Sequence, residues 1–135
     1  ANTCGQGDET GMYMGARPQS MATLDRFENW VSVDYMKPKK ETAWLKGVVP
    51  MLSDDMASQM ISYAGEHRVA FVDGKIMQPL SPRGLRAMAK RFVSTMTLVD
   101  NEANALAEAF GSTILDRCTS QDKVVLEGLY QRINK

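Results

Sequence analysis

Residues 81–96 have the sequence SPRGLRAMAKRFVSTM, which predicts one long amphipathic helix. Ser81 is a preferred N-cap residue, and proline is favoured at the first helical position, where its missing N–H would have no intrahelical partner. Apolar residues then recur every three or four positions, namely Leu85, Met88, Ala89, Phe92, Val93 and Met96. Because such a stripe is buried against other elements, we expect a helical core around this segment.

The same apolar spacing predicts further helices on both sides of this segment. They are expected after Ser20, at about 39–47, and after Ser53, Asn101 and Thr119. Pro38 and Gly65 are expected to end the first and the third of them, because proline disfavours the helical conformation of the preceding residue and glycine favours helix ends. The predicted fold class is mainly α, a compact single-domain bundle of five or six helices.

A β-hairpin is predicted at about 68–78. Residues 68–72 and 75–77 are rich in β-branched and apolar side chains, and they flank Asp73-Gly74. This dipeptide accepts the positive φ angles of the tight turns that join two antiparallel strands. Since an isolated hairpin is marginally stable in water, it would have to pack on the helices.

The domain organisation is predicted to be an irregular arm, residues 1–19, followed by a single helical domain, residues 20–135. The arm holds four glycines and Pro18 among small polar residues, a composition that disfavours regular structure.

Composition narrows the function classes. The 135 residues are 44% hydrophobic and 24% charged, which is typical of a globular domain. Sixteen basic and sixteen acidic residues cancel, so we expect no nucleic-acid partner. Lys90 and its neighbouring arginines form a basic helix face, which we expect to pair with the acidic helix that follows. We also expect no membrane span, because no apolar run approaches the length that one needs.

The cellular location is predicted from the amino terminus and the cysteines. Ala1 is a small residue of the kind that signal-peptide cleavage leaves, although trimming would leave the same end. Cys4 and Cys118 can pair in one way only, so we predict a disulfide and a periplasmic or secreted protein. Two reduced thiols, with Cys118 filling core space, are the alternative.

Familiar catalytic signatures are absent from the sequence. It shows no phosphate-binding loop, dinucleotide fingerprint or paired cysteine motif, so we predict no cofactor, no metal and no catalytic residues. His67 is the only histidine, and its place near a predicted helix end favours a structural role.

A partner-binding element is predicted between the hairpin and the helix at 81–96. Its residues are Asp73, Gly74, Lys75, Met77, Gln78 and Pro79. Two prolines and a tight turn stiffen this connection, and a stiff loop loses less entropy on binding. The alternative is that Ile76 and Leu80 only cover the core beneath.

The leading functional prediction is a small exported protein that binds another protein. Its most concrete form is an inhibitor or immunity protein that blocks the active site of a secreted cell-wall hydrolase with residues 73–82. A second prediction is a structural subunit of a secretion or envelope assembly. The sequence also leaves open whether the protein forms a homodimer.

An enzyme is the remaining alternative. Glu66 at a predicted helix end, followed by Asp73 in a predicted hairpin, resembles the paired carboxylates of lysozyme-type muramidases. That resemblance covers about a dozen residues and implies a small peptidoglycan hydrolase. The residues after Asp73 depart from the glycine- and threonine-rich pattern of the phage-type enzymes.

Overall fold

The computed structural model describes residues 18–99 and 101–133. The chain forms two compact units, residues 1–35 and residues 36–135. The predicted arm, residues 1–19, lies almost entirely outside the described residues, so it stays a prediction.

The described part of the first unit holds one short helix, α1 (Met21–Leu24), which Ser20 caps. The chain after it makes a turn at residues 25–26 and has no regular secondary structure up to the second unit, so the long helix predicted to reach Pro38 is wrong beyond Leu24. Its apolar residues satisfy a helical spacing, but Trp30, Val31 and Val33 are β-branched or aromatic and favour extended backbone.

The second unit consists of helices joined by short connections within its described residues. They are α2 (Pro38–Val48), α3 (Asp54–Val72), α4 (Pro82–Met96), α5 (Glu102–Thr113), a 3-10 turn (Leu115–Arg117) and α6 (Ser120–Ile133). This confirms the mainly α fold class. No strand occurs in the described residues.

Local capping interactions begin most of these helices where the sequence predicts. The side chains of Ser53, Ser81 and Asn101 accept hydrogen bonds from the backbone N–H three residues on, at 3.2, 3.2 and 3.0 Å. Thr119 accepts the N–H of Asp122 in the same way, at 3.2 Å. Each cap satisfies a backbone N–H that has no partner within its own helix.

The hairpin predicted at about 68–78 is wrong, because α3 continues through its first strand to Val72. Gly65, predicted to end this helix, lies inside it instead. The helix extends because His67 and Ala70 continue its buried face and pack into the core. The stabilisation gained by burying this face therefore outweighs the low helix propensity of Gly65 and of the β-branched residues between 68 and 72.

Gly74 ends α3 in a Schellman motif. Its φ angle is 70°, the left-handed conformation that glycine adopts without strain. The N–H of Gly74 donates to Phe71 O (3.0 Å) and the N–H of Lys75 donates to Ala70 O (2.9 Å), which is the bonding pattern of this cap. A hairpin turn and a helix cap need the same positive φ, so the Asp73-Gly74 dipeptide alone does not distinguish them.

The core of the second unit lies between α3, α4, α5 and α6, with α2 against α3 and α4. Outside the core, Arg91 of α4 donates to both carboxylate oxygens of Glu108 on α5, at 2.6 to 3.2 Å. Part of the basic face of α4 is thus paired with α5. None of the helices in the described ranges has the length and apolar character to cross a membrane.

Replacing Gly74 with alanine is expected to lower the free energy of unfolding by about 1–2 kcal/mol, because a Cβ makes the left-handed conformation unfavourable. The matched control is Gly128→Ala, since Gly128 lies in α6 with open space around an added Cβ. That substitution should raise stability by about 0.5–1 kcal/mol through helix propensity. Urea unfolding measures both, and a Gly74→Ala protein as stable as wild type contradicts the assigned cap.

Candidate functional site

The loop between α3 and α4, residues 73–81, is the candidate functional site. It contains all six residues predicted to bind a partner. Ile76 and Leu80 are buried in the core, whereas the Met77 side chain between them is 65% exposed. The loop therefore both covers the core and presents an exposed apolar side chain.

Three buried or half-buried side chains hydrogen-bond to the loop backbone, and we call His67, Arg68 and Asp122 the loop clamp. Asp122 accepts the N–H of Met77 (3.0 Å) through Oδ2. His67 Nε2 lies 2.9 Å from the carbonyl oxygen of Gln78, and Arg68 Nε donates to Leu80 O (3.0 Å). Consecutive parts of an irregular segment are thus fixed by side chains of α3 and α6.

The position of His67 determines its protonation. Its Nε2 faces a carbonyl oxygen and must donate, so in the neutral ring Nδ1 accepts from the Tyr63 hydroxyl, 3.0 Å away. Burial lowers the pKa of His67, and the nearby charges of Arg117 and Arg68 lower it further. Burial likewise raises the pKa of Tyr63. The clamp therefore contains a neutral imidazole with both nitrogens hydrogen-bonded.

Arg68 is held by a buried ion pair with Glu41 of α2. Its two terminal nitrogens donate to the two carboxylate oxygens of Glu41 at 2.8 and 2.7 Å, a bidentate geometry. The third nitrogen, Nε, remains for the carbonyl of Leu80. A single guanidinium thus links α2, α3 and the loop.

The remaining predicted residues lie at the two ends of the loop. Asp73 and Gly74 cap α3, and Lys75 forms an exposed ion pair with Asp73 (2.8 Å). The side-chain amide of Gln78 donates to Arg117 O (3.3 Å), and Pro79 is half-buried. The structure brings these residues into one ordered loop, but their predicted role in binding is not tested by it.

Sequence analysis missed the residues that order the loop. No local pattern in the sequence singles out Glu41, Arg68 or Asp122. His67 was assigned a structural role, but on a helix end, whereas it is buried within α3. Their partners are distant in the chain, so only the single histidine gave a local signal.

Exposed valines extend the apolar surface beside the loop. Val69, Lys75 and Val124 line an open groove of about 390 Å³ between α3 and α6. Val72, at the end of α3, is also exposed. Lys75 belongs to the loop and also lines this groove, so the loop and the groove adjoin. Exposed apolar side chains grouped in this way are typical of a protein contact surface.

The predicted disulfide between Cys4 and Cys118 is not formed. Cys118 is a free cysteine, half-buried, and its thiol contacts the carbonyl oxygen of Ile114 at 3.1 Å. Burial raises the pKa of this thiol, which disfavours the reactive thiolate. Cys4 lies outside the described residues.

The carboxylates that resemble a muramidase pair do not form the expected arrangement. Without a hairpin, Glu66 and Asp73 both belong to α3 and its cap, about 10 Å apart along the helix axis. Glu66 lies 4.0 Å from Arg132, and Asp73 pairs with Lys75. In the ranges 18–99 and 101–133, no group of three or more His, Cys, Asp or Glu residues could hold a metal ion.

The chain is similar to the aerobic cobaltochelatase subunit CobS of a Sinorhizobium species, with 29% identity over 138 residues. The match covers 98% of this chain but 39% of the relative, so the chain spans well under half of that protein's length. No protein-family model matches the chain, and no solved structure matches it.

This similarity overturns the leading functional prediction. The relative is a chelatase subunit and not an inhibitor or immunity protein of a cell-wall hydrolase, so that prediction and its muramidase-like alternative are wrong. The prediction rested on small size, expected export, a potential disulfide, neutral charge and missing catalytic motifs, and none of these features identifies a function. The predicted periplasmic or secreted location is tested by none of these findings and stays a prediction.

Replacing Arg68 with methionine is expected to lower the free energy of unfolding by about 3–5 kcal/mol. It leaves the Glu41 carboxylate buried without its ionic partner and removes the donor to Leu80 O. The matched control is Arg91→Met, whose ion pair with Glu108 is exposed, and its loss should be far smaller. Urea unfolding measures both variants. An equal loss of unfolding free energy in the two would contradict the assignment of Arg68 to a buried ion pair.

Proposed function

We propose that this chain is a helical part of a cobaltochelatase-type subunit, and that residues 73–81 contact another subunit of the same enzyme. The observation that carries the proposal is the similarity to a chelatase subunit along 98% of this chain. An enzyme with a named subunit contains further polypeptides, so contact with another protein is an expected property of such a chain.

The ordered loop supports the second half of the proposal. The loop clamp fixes Met77 N–H, Gln78 O and Leu80 O in the free protein, so little backbone entropy remains to be lost on binding. Methionine is also a side chain that adapts to different apolar partners. Met77 therefore has the position and the chemistry of an anchor residue.

The surroundings of Met77 support an apolar partner surface with a polar rim. Val72, at the end of α3, and Val124, in the adjoining groove, are exposed, and Asp73 and Lys75 of the loop form an ion pair. Binding energy at such surfaces concentrates in a few apolar anchors, and charges at the rim contribute little.

The proposal assigns the chain to an enzyme without assigning catalysis to it. Cobalt is the substrate of a cobaltochelatase, and the proposed role of residues 73–81 is contact between subunits. The sequence predicts a chain that is not an enzyme. The proposal instead makes the chain one part of an enzyme, with no catalytic role of its own assigned.

Replacing Met77 with aspartate is expected to weaken binding to the other chelatase subunits from the same source by at least about tenfold, because it puts a charge into an apolar contact. The measurement is surface plasmon resonance with the complete subunit that contains this chain, followed by the cobalt-chelation activity of the reconstituted enzyme.

The control variant is Met51→Asp. Met51 is 78% exposed, comparable to Met77, and it lies in the connection between α2 and α3. Both variants should unfold at the wild-type urea concentration, since neither side chain is buried. Wild-type affinity of Met77→Asp contradicts the contact assignment, and a complete subunit that neither binds the other subunits nor supports chelation contradicts the chelatase assignment.

A further inference from the structure

We propose that His67 is an acid-sensitive switch for the loop: protonation of its imidazole opens residues 76–80 and releases Met77 from its fixed position. The opening itself follows from the geometry of the second unit. Its consequence for binding another subunit rests on the proposed function.

The hydrogen bond at Nδ1 of His67 suits only the neutral ring, whereas the one at Nε2 is available to the cationic ring as well. Nε2–H donates to Gln78 O, while the lone pair of Nδ1 accepts the Tyr63 hydroxyl hydrogen. A proton on Nδ1 faces that hydroxyl, which must then turn its own hydrogen away. Tyr63 is itself buried, so the displaced hydrogen loses its acceptor in an apolar environment.

The charges around His67 oppose a cationic ring on balance. Arg68 on α3 and Arg117 in the 3-10 turn disfavour the imidazolium, whereas Asp122 on α6 favours it. The α2 carboxylate nearest to this region, Glu41, is already engaged by both terminal nitrogens of Arg68. The Asp122 carboxylate is likewise engaged, by the N–H of Met77.

Opening of the loop is the shortest way for a cationic His67 to reach water. The ring hydrogen-bonds to Gln78 O, which lies between the buried Ile76 and Leu80 in a segment that is irregular and has few backbone hydrogen bonds of its own. Exposing the ring from the other side would require α3 to separate from the core. Local opening proceeds through the least stable segment that covers a group, and here that segment is the loop.

The sign of the pH dependence follows from the lowered pKa of His67. In the opened loop the imidazole has its ordinary pKa of about 6.5, above its value in the closed protein. The closed state is therefore fully favoured above about pH 6.5 and loses stability below it. Between that pH and the lowered pKa, the opening equilibrium should rise by up to about tenfold per pH unit.

The experiment is amide hydrogen exchange of the full chain, followed by NMR between about pH 5 and about pH 8, the range in which histidine titrates. The reporter is the Met77 amide, which is protected by Asp122. The reference is the Ala57 amide, which donates to Ser53 O (2.9 Å) at the opposite end of α3. Dividing the protection factor of Met77 by that of Ala57 removes the intrinsic pH dependence of amide exchange.

In the wild-type protein, we expect the Met77 protection relative to Ala57 to fall as the pH drops below about 6.5, the ordinary pKa of an exposed imidazole. His67→Gln keeps a donor for Gln78 O and does not titrate, so its ratio should be independent of pH. Tyr63→Phe removes the donor that favours the neutral ring in the closed loop, so protonation is less unfavourable there and acid should open the loop less than in wild type. This variant keeps the proposal testable if His67→Gln fails to fold.

Two results would overturn the proposal. One is a Met77 protection ratio that stays constant as the pH falls below about 6.5, and the other is the same acid response in His67→Gln as in wild type. Both readouts use this chain alone, so they are independent of whether a chelatase partner exists. If the switch is confirmed but acid leaves the affinity for the other subunits unchanged, the proposed contact at Met77 fails and the switch stands.

Discussion

The second unit depends on one constraint: a loop that covers a hydrophobic core must find hydrogen-bond partners for its buried backbone groups. A helix satisfies these groups internally, but residues 73–81 form no regular structure. Side chains from other elements take that role here, with Asp122 accepting from Met77 and His67 and Arg68 donating to Gln78 and Leu80. No buried side-chain nitrogen or oxygen in the described residues lacks a partner.

This constraint explains which features were predictable from sequence. The starts of α3, α4 and α5 depend on contacts within four residues, so Ser53, Ser81 and Asn101 identify them locally. The end of α3 depends on Gly74 together with packing of the preceding turn. Because a helix cap and a hairpin turn share the Asp-Gly signal, local sequence favoured a structure that tertiary burial excludes.

The sequence predicted where the site lies along the chain but not which contacts hold it in place. Pro79 and the capped start of α4 indicate a stiff connection, and its position along the chain was predicted. Its rigidity arises from pairs far apart in sequence: Arg68 and Glu41 are separated by 27 residues, and Met77 and Asp122 by 45. No spacing pattern reveals such pairs. The similarity to a chelatase subunit was missed for a related reason, since it extends over 98% of the chain at only 29% identity.

The composition of the loop clamp suggests why polar groups are kept where apolar side chains would pack well. A buried ion pair such as Glu41–Arg68 adds little stability relative to an apolar pair of the same volume, because removing both charges from water costs several kcal/mol. The polar clamp does exclude alternative loop positions, because a loop that shifts by one residue breaks the hydrogen bonds of Arg68, His67 and Asp122 to its backbone at once. An apolar clamp would tolerate such shifts. A single loop conformation matters most if Met77 has to meet a fixed surface on another protein, so the polar clamp is itself an argument that this loop serves recognition.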